Sequence, residues 1–166
     1  FNKQGIAYFV LKYRMPKGDR NIPLSDAYQA IRTVRDSAEV WHINKKDVGI
    51  MGFSAGGHLA SSVSTHADEA VRPNFSILFY PVISMDERIT HKGSCVNFLG
   101  EERKTNAKLV EEWSNDKAVR PQVTPRVILL MSSDDKVVPP VTNGVAYYTA
   151  MNKAGNECTL HIYPSG

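Results

Sequence analysis

The sequence predicts an α/β domain in which a mostly parallel sheet lies between helices. Three observations predict it. Short, continuous, β-prone apolar runs recur at 6–11 (IAYFVL), 75–80 (FSILFY) and 127–131 (VILLM), the pattern of strands buried on both faces. Stretches between them carry apolar residues at helical spacing, most clearly at 25–41, 55–66 and 141–154. Strands and helices alternate, and parallel neighbours need a helical crossover, so the expected architecture is three-layer α/β/α.

The elements follow in order. Ile6 to Leu11 reads as the first strand. Ala27, Ala30, Ile31, Val34, Ala38 and Trp41 then recur at helical spacing. Ser25 is the expected N-cap of that helix, with Asp26 in its first turn, where a carboxylate suits the helix dipole. Val48 to Met51 is a short strand and Ala55 to His66 a helix with small residues along one side. Phe75 to Tyr80 is a strand ended by Pro81, and 84–104 is polar enough to read as a long irregular connection. A helix over Asn106 to Trp113, a strand over Val127 to Met131, a helix over Val141 to Ala154 closed by Gly155, and a last strand over Cys158 to Tyr163 complete the chain.

Composition narrows the function classes. A chain of 166 residues, 42% of them hydrophobic, is one domain's worth with enough apolar surface for a core, and no repeat or linker divides it. The net charge of +3 is small and the basic residues are interspersed with acids, as in Lys45-Lys46-Asp47, so no nucleic-acid surface is expected. No apolar run reaches the roughly 20 residues that span a bilayer. Two cysteines, Cys95 and Cys158, are read as buried thiols rather than a disulfide framework. No cluster of His, Cys and Asp has metal-ligand spacing, so neither metal nor cofactor is expected.

Chemistry concentrates in Gly52-Phe53-Ser54-Ala55-Gly56, which follows a predicted strand and opens a predicted helix. Gly-x-Ser-x-Gly in that context is the pattern of a nucleophile elbow. The turn is so tight that glycines at 52 and 56 are expected to remove clashes with neighbouring backbone. The helix aims its first amides at the site, and the Ala55 amide is the candidate donor to an oxyanion.

An acid is expected at the carboxyl end of another strand, where the catalytic groups of open parallel sheets gather. Asp134-Asp135-Lys136-Val137-Val138-Pro139 supplies it. Counting forward from the strand end prefers Asp134, counting back from Pro139 prefers Asp135, and both are held. None of the five histidines suggests itself as the base. His42 precedes the serine, His58 and His66 belong to the helix after it, His91 lies in the polar connection, and His161 sits within the last strand. The order Ser, Asp, His would place the base in the loop after that strand.

Four stretches together carry a family resemblance: VGIMGFSAGGHLAS (48–61), RPNFSILFYPVISM (72–85), LLMSSDDKVVPP (129–140) and TLHIYPSG (159–166). They resemble the α/β-hydrolase esterases of the acetyl-xylan esterase-like, carbohydrate-ester-hydrolysing kind found in bacteria, especially Bacteroidetes. The resemblance implies an α/β-hydrolase fold, Ser54 as nucleophile and the Asp134/Asp135 pair as source of the acid. It also implies a histidine in a Gly-His-Gly just beyond Gly166, and a Gly-rich loop before Phe1 that gives the second oxyanion amide. On that reading, residues 1–166 are a single, partial α/β-hydrolase domain, a core segment without the leading strands and closing helix.

The implied reaction is serine ester hydrolysis through an acyl-enzyme, with an acetylated xylan or other carbohydrate ester as substrate. Tyr13, Trp41, Tyr80, Trp113, Tyr147, Tyr148 and Tyr163 could include a sugar platform, though most suit core or ordinary surface. Two alternatives share the motifs: the core of a prolyl-oligopeptidase-type peptidase, and a catalytically silent fragment whose unpaired edge and apolar faces favour a homo-oligomer. A periplasmic or secreted location follows only by analogy with the family.

Overall fold

A computed structural model describes residues 1–166. Four strands form one parallel sheet in the order β1-β2-β3-β4: β1 Gly49–Phe53, β2 Phe75–Phe79, β3 Arg126–Ser132 and β4 Cys158–Tyr163. Between and before them run α1 Asn21–Asp36, α2 Ser54–His66, α3 Lys92–Leu99, α4 Ala107–Glu112 and α5 Ala146–Lys153. Every strand after β1 is reached by a crossover that contains helix, as parallel pairing demands.

Alternation along β3 decides where the core sits. Val127, Leu129 and Met131 are buried, while Ile128 and Leu130 between them are not fully covered. The larger core cluster joins Leu24, Ala27 and Ile31 of α1 to Leu59 and Val63 of α2, Phe98 of α3, Leu109 of α4 and Met131 of the sheet. A smaller cluster joins Ala60, Leu78, Val127 and Leu129 to Tyr147 and Met151 of α5. All five helices therefore pack on the Leu78–Leu129 face. The opposite face presents Met51, Phe53, Ile77, Phe79, Ile128 and Leu130, of which Phe53 is 46% exposed. Of the two helical layers expected, residues 1–166 hold one.

The run Ile6 to Leu11, expected as a buried strand, joins no ladder, and Ile6, Tyr8, Phe9, Val10 and Leu11 are exposed. Apolar, β-prone sequence makes a strand only where a neighbouring strand offers its N–H and C=O groups, and none of the four does so here. The segment is held instead by side chains: Phe1 stacks on Tyr8, Phe9 on Trp41, and Arg14 pairs with Asp26.

Three helix expectations also shift. α1 starts four residues before Ser25, because Pro23 lies in the first turn, where its missing N–H costs nothing. Ser25 is thus no N-cap, and its hydroxyl donates to the Ile22 carbonyl within the helix. The polar connection at 84–104 contains α3, whose buried Ser94, Cys95, Phe98 and Leu99 form one helical stripe, capped by the His91 side chain accepting from the Ser94 amide. Residues Val141–Val145 form a π-turn, with the Val145 amide reaching the Pro140 carbonyl, and regular helix begins only at Ala146. Both cysteines are free, Cys95 buried and Cys158 half-buried.

The one-sided core predicts unequal costs along a single strand. Leu129→Ala is expected to destabilise residues 1–166 by about 2–5 kcal/mol, and Leu130→Ala, on the bare face, by less than half as much. Urea unfolding of both variants measures the ratio, and equal costs would contradict a core on one face.

Candidate active site

β1 runs into α2 without a connecting residue: Phe53 is extended (φ −121°, ψ 136°) and Ser54 is the first residue of the helix. Reversing direction in one step forces Ser54 to φ 51°, a left-handed conformation for a residue with a Cβ. Such a conformation costs of order 1–3 kcal/mol and persists only where the surroundings hold it. Here the Val82 amide donates to the Ser54 carbonyl at 3.1 Å, and α2 lies directly over the strand end.

A Cβ on Gly52 would sit 2.3 Å from the Gly56 carbonyl oxygen, so glycine is obligatory at 52. Gly56 does not have the reason expected of it: a Cβ there would meet only the Tyr13 hydroxyl at 3.5 Å, an ordinary contact. The second close approach belongs to Gly57, where a Cβ would lie 2.7 Å from Pro81 Cβ, at the loop after β2. A second glycine inside a helix, with its conformational penalty, was the available sign of that contact.

The Ala55 amide lies in the first turn of α2, where N–H groups have no partner within the helix, and Ala55 itself is exposed. An anionic oxygen above Ser54 would therefore meet a free donor at the positive end of the helix dipole.

The acid turn follows β3, two strand spacings or about 10 Å across the sheet from β1. Its two aspartates have separate environments. Asp135 Oδ1 accepts from the Val137 amide at 2.8 Å and from the Val138 amide at 2.9 Å, so this side chain builds the turn. Asp134 is exposed, and its carboxylate has no hydrogen bond or ion pair within the chain. The loop after β4 comes to the same place. The Ser133 amide donates to the Tyr163 carbonyl at 2.8 Å, and a Cβ on Gly166 would lie 3.2 Å from Ser132 Cβ.

Each histidine is placed by its partners. His58, 2% exposed, donates from Nε2 to the Trp113 carbonyl at 2.9 Å and meets the Phe98 ring edge-on. Burial pushes its imidazole down to about 4, against the raising effect of the Trp113 carbonyl. His66 stacks on Trp113, 4.2 Å between centroids, at the far end of α2, and burial lowers it too. His42 precedes β1 and so lies at the end of the sheet away from Ser54. His91 caps α3. His161 stands exposed within β4, level with Leu130 and facing Tyr163.

Of the aromatic candidates, Tyr147 and Trp113 are core. Tyr80 is at the site: it directly follows β2, is 43% exposed, adopts φ 35° and lies 6.2 Å from the Phe53 ring.

The strand–serine–helix turn, with the acid turn beside it at the carboxyl end of a parallel sheet, agrees with comparison to known proteins. A family model described as the alpha/beta hydrolase fold matches residues 4–166. The chain belongs to the α/β-hydrolase family. It is 62% identical over 165 residues to an acetylxylan esterase of Xylanibacter ruminicola, an alignment that covers 99% of this chain and 34% of that protein. It is 32% identical over 181 residues to endo-1,4-beta-xylanase B of Butyrivibrio fibrisolvens, covering all of this chain and 28% of that one. Among solved structures, the acetyl ester-xyloside bifunctional hydrolase of Caldicellulosiruptor lactoaceticus superposes with a TM-score of 0.89 at 38% identity, over 99% of this chain and 63% of that one. The carboxylesterase Cest-2923 of Lactobacillus plantarum has a TM-score of 0.74 at 21% identity, over 91% of this chain and 56% of that one, and speaks for the fold. This chain thus spans about a third of the length of the acetylxylan esterase it matches.

Two predictions come from this geometry. Gly57→Ala is expected to destabilise by about 1–3 kcal/mol through overpacking on Pro81. Gly56→Ala should be neutral or stabilising, because alanine is the better helix former; thermal unfolding separates the two. His58 gives a pH dependence whose sign is fixed. An unfolded histidine takes its proton near pH 6.5, whereas native His58 resists protonation down to about 4. Its contribution is therefore complete above pH 6.5 and is lost as pH falls from 6.5 to about 4, to a total on the order of 3 kcal/mol. His66 adds a loss of the same sense. Denaturant midpoints across that window should fall with pH, and fall less in His58→Gln.

Proposed function

We propose that this chain is the nucleophile- and acid-bearing part of a serine carboxylic-ester hydrolase acting on acetylated xylan or related carbohydrate esters. The observation that carries the reading is the left-handed Ser54 at the strand–helix turn, with the free Ala55 amide next to it. The relatives named acetylxylan esterase and acetyl ester-xyloside hydrolase support acetyl as the acyl group and an oligosaccharide as its carrier.

In this reading the Ser54 hydroxyl attacks the ester carbonyl. Its proton passes to a histidine base, and the tetrahedral oxyanion is held by the Ala55 amide. Collapse expels the sugar hydroxyl, which takes the proton back, and leaves an acetyl-Ser54. Water, activated by the same base, then releases acetate. In this reading Asp134 is the acid that orients the base and stabilises its charged form: it is exposed with both carboxylate oxygens free, whereas Asp135 gives Oδ1 to the Val137 and Val138 amides and keeps only Oδ2. None of the five histidines in the chain has a placement suited to the role. We assign the base to the loop after β4, beyond Gly166, where the chain comes against the acid turn at Ser132. Tyr80, exposed directly after β2, offers apolar surface for the sugar or the acyl methyl.

The test uses the whole enzyme that contains this chain. A fluorophosphonate should label Ser54 once, and Ser54→Ala should abolish both labelling and hydrolysis of acetyl esters. Asp134→Asn is expected to lower kcat by about 10³–10⁴. Asp135→Asn keeps an acceptor oxygen for the two amides and should stay within about tenfold of the parent. Faster turnover of proline-containing amides than of acetyl esters would favour the peptidase reading, and an unlabelled Ser54 the silent one.

A further inference from the structure

We infer that Asn143 is a positioning residue that holds the acid turn in register with the nucleophile; this rests on the assignment of Ser54 and Asp134 to the reaction. Asn143 is 1% exposed and lies in the π-turn between the acid turn and α5. Its carboxamide is used at both ends. Oδ1 accepts from the Ile83 amide at 2.9 Å, and Nδ2 donates to the Pro139 carbonyl at 3.0 Å and to Thr142 Oγ1 at 3.2 Å.

Those two backbone partners belong to different parts of the site. Pro139 closes the turn that begins with Asp134. Ile83 follows Val82, whose amide donates to the Ser54 carbonyl at 3.1 Å. The 82–83 segment has little freedom of its own, because the Ile83 carbonyl accepts from the Asn115 amide at 3.0 Å. A continuous path of hydrogen bonds, buried at Ile83–Asn143 and partly covered at its Pro139 end, therefore runs from Ser54 through 82–83 and Asn143 to Pro139. The nucleophile directly follows β1 and the acid follows β3, with β2 between those strands, and the base must meet both. Errors of about 1 Å in such geometry cost on the order of 10²-fold in rate.

The chemistry at position 143 is specific. One end must accept and the other must donate, within a space that holds a short side chain. Asp offers only acceptors when ionised, and Ala or Leu leaves the Ile83 amide without a partner and the Pro139 carbonyl with only the Thr142 hydroxyl at 3.4 Å. The same side chain lies within the π-turn. Its Nδ2 bonds the Pro139 carbonyl where the backbone ladder runs one residue wide, from the Val145 amide to the Pro140 carbonyl.

The test is a double-mutant cycle with the acid in the whole enzyme, read on an acetyl ester. Asn143→Ala in the parent is expected to lower kcat by about 10- to 100-fold, with KM within about threefold. With Asp134 already changed to Asn, the same substitution should cost less than about threefold, because there is no longer an acid to keep in register. Asn143→Asp, which retains an acceptor for Ile83 but cannot donate to Pro139, should behave like Asn143→Ala. An undiminished loss in the Asp134→Asn background, or a raised KM at unchanged kcat, overturns the inference.

If neither variant folds, hydrogen exchange in the unaltered enzyme decides. The Ile83 amide should exchange as slowly as the central strand amides of β2 and β3. Exchange at the rate of exposed loops overturns the assignment. A parent enzyme that cleaves no acetyl ester defeats the esterase reading alone; the cycle is then read from the rate at which a fluorophosphonate labels Ser54.

Discussion

The structure depends on one close approach: the end of β1 passing directly beneath the first turn of α2. At Gly52 the gap leaves no room for a Cβ against the Gly56 carbonyl, and at Gly57 none against Pro81. With strand, helix and the loop after β2 this close, the chain has one way to turn, and Ser54 takes a backbone conformation that residues with a Cβ avoid. The strain is borne by packing on both sides of the turn and by the Val82 amide. The Ala55 amide is left free at the helix end as a geometric consequence of the same turn.

Behind the turn, α2 is anchored by polar groups in an otherwise apolar layer. Asn115, fully buried, donates through its side-chain amide to the His58 carbonyl at 3.3 Å and to Ser61 Oγ at 2.7 Å. His58 binds the Trp113 carbonyl from the other direction. A helix with so many small residues, Gly57, Ala60, Ser61, Ser62 and Ser64 among them, buries little apolar area per residue. Satisfied hydrogen bonds in a low-dielectric interior supply the specificity of position that bulk does not. His58, one helical turn beyond Ser54, belongs to this frame.

The two faces of the sheet are unlike. Leu78 and Leu129 lie under helices and are fully buried, while their neighbours Phe79 and Leu130 point to a face that no helix of residues 1–166 covers. The Phe53 and Phe79 rings stack on each other there, 4.6 Å between centroids, and the Arg126 guanidinium lies over Phe75.

The sequence by itself determined the alternation of strands and helices, the elbow at Ser54 and the acid turn at 134–139, because each is written in local pattern: short β-branched runs, helical spacing, glycines around a serine. Tertiary structure decided everything that needs a partner from elsewhere in the chain. Ile6 to Leu11 has strand composition but no strand beside it to complete its hydrogen bonds. That Asp135 gives Oδ1 to the turn's own amides while Asp134 stays unbonded is likewise a matter of how the turn folds, and counting residues could not show it. Gly57, rather than Gly56, faces Pro81 because of where the loop after β2 returns. Asn143 reads in sequence as one more residue of a helix, with only its poor helix propensity as a sign. Its function depends on Ile83, sixty residues away and brought beside it only by the fold.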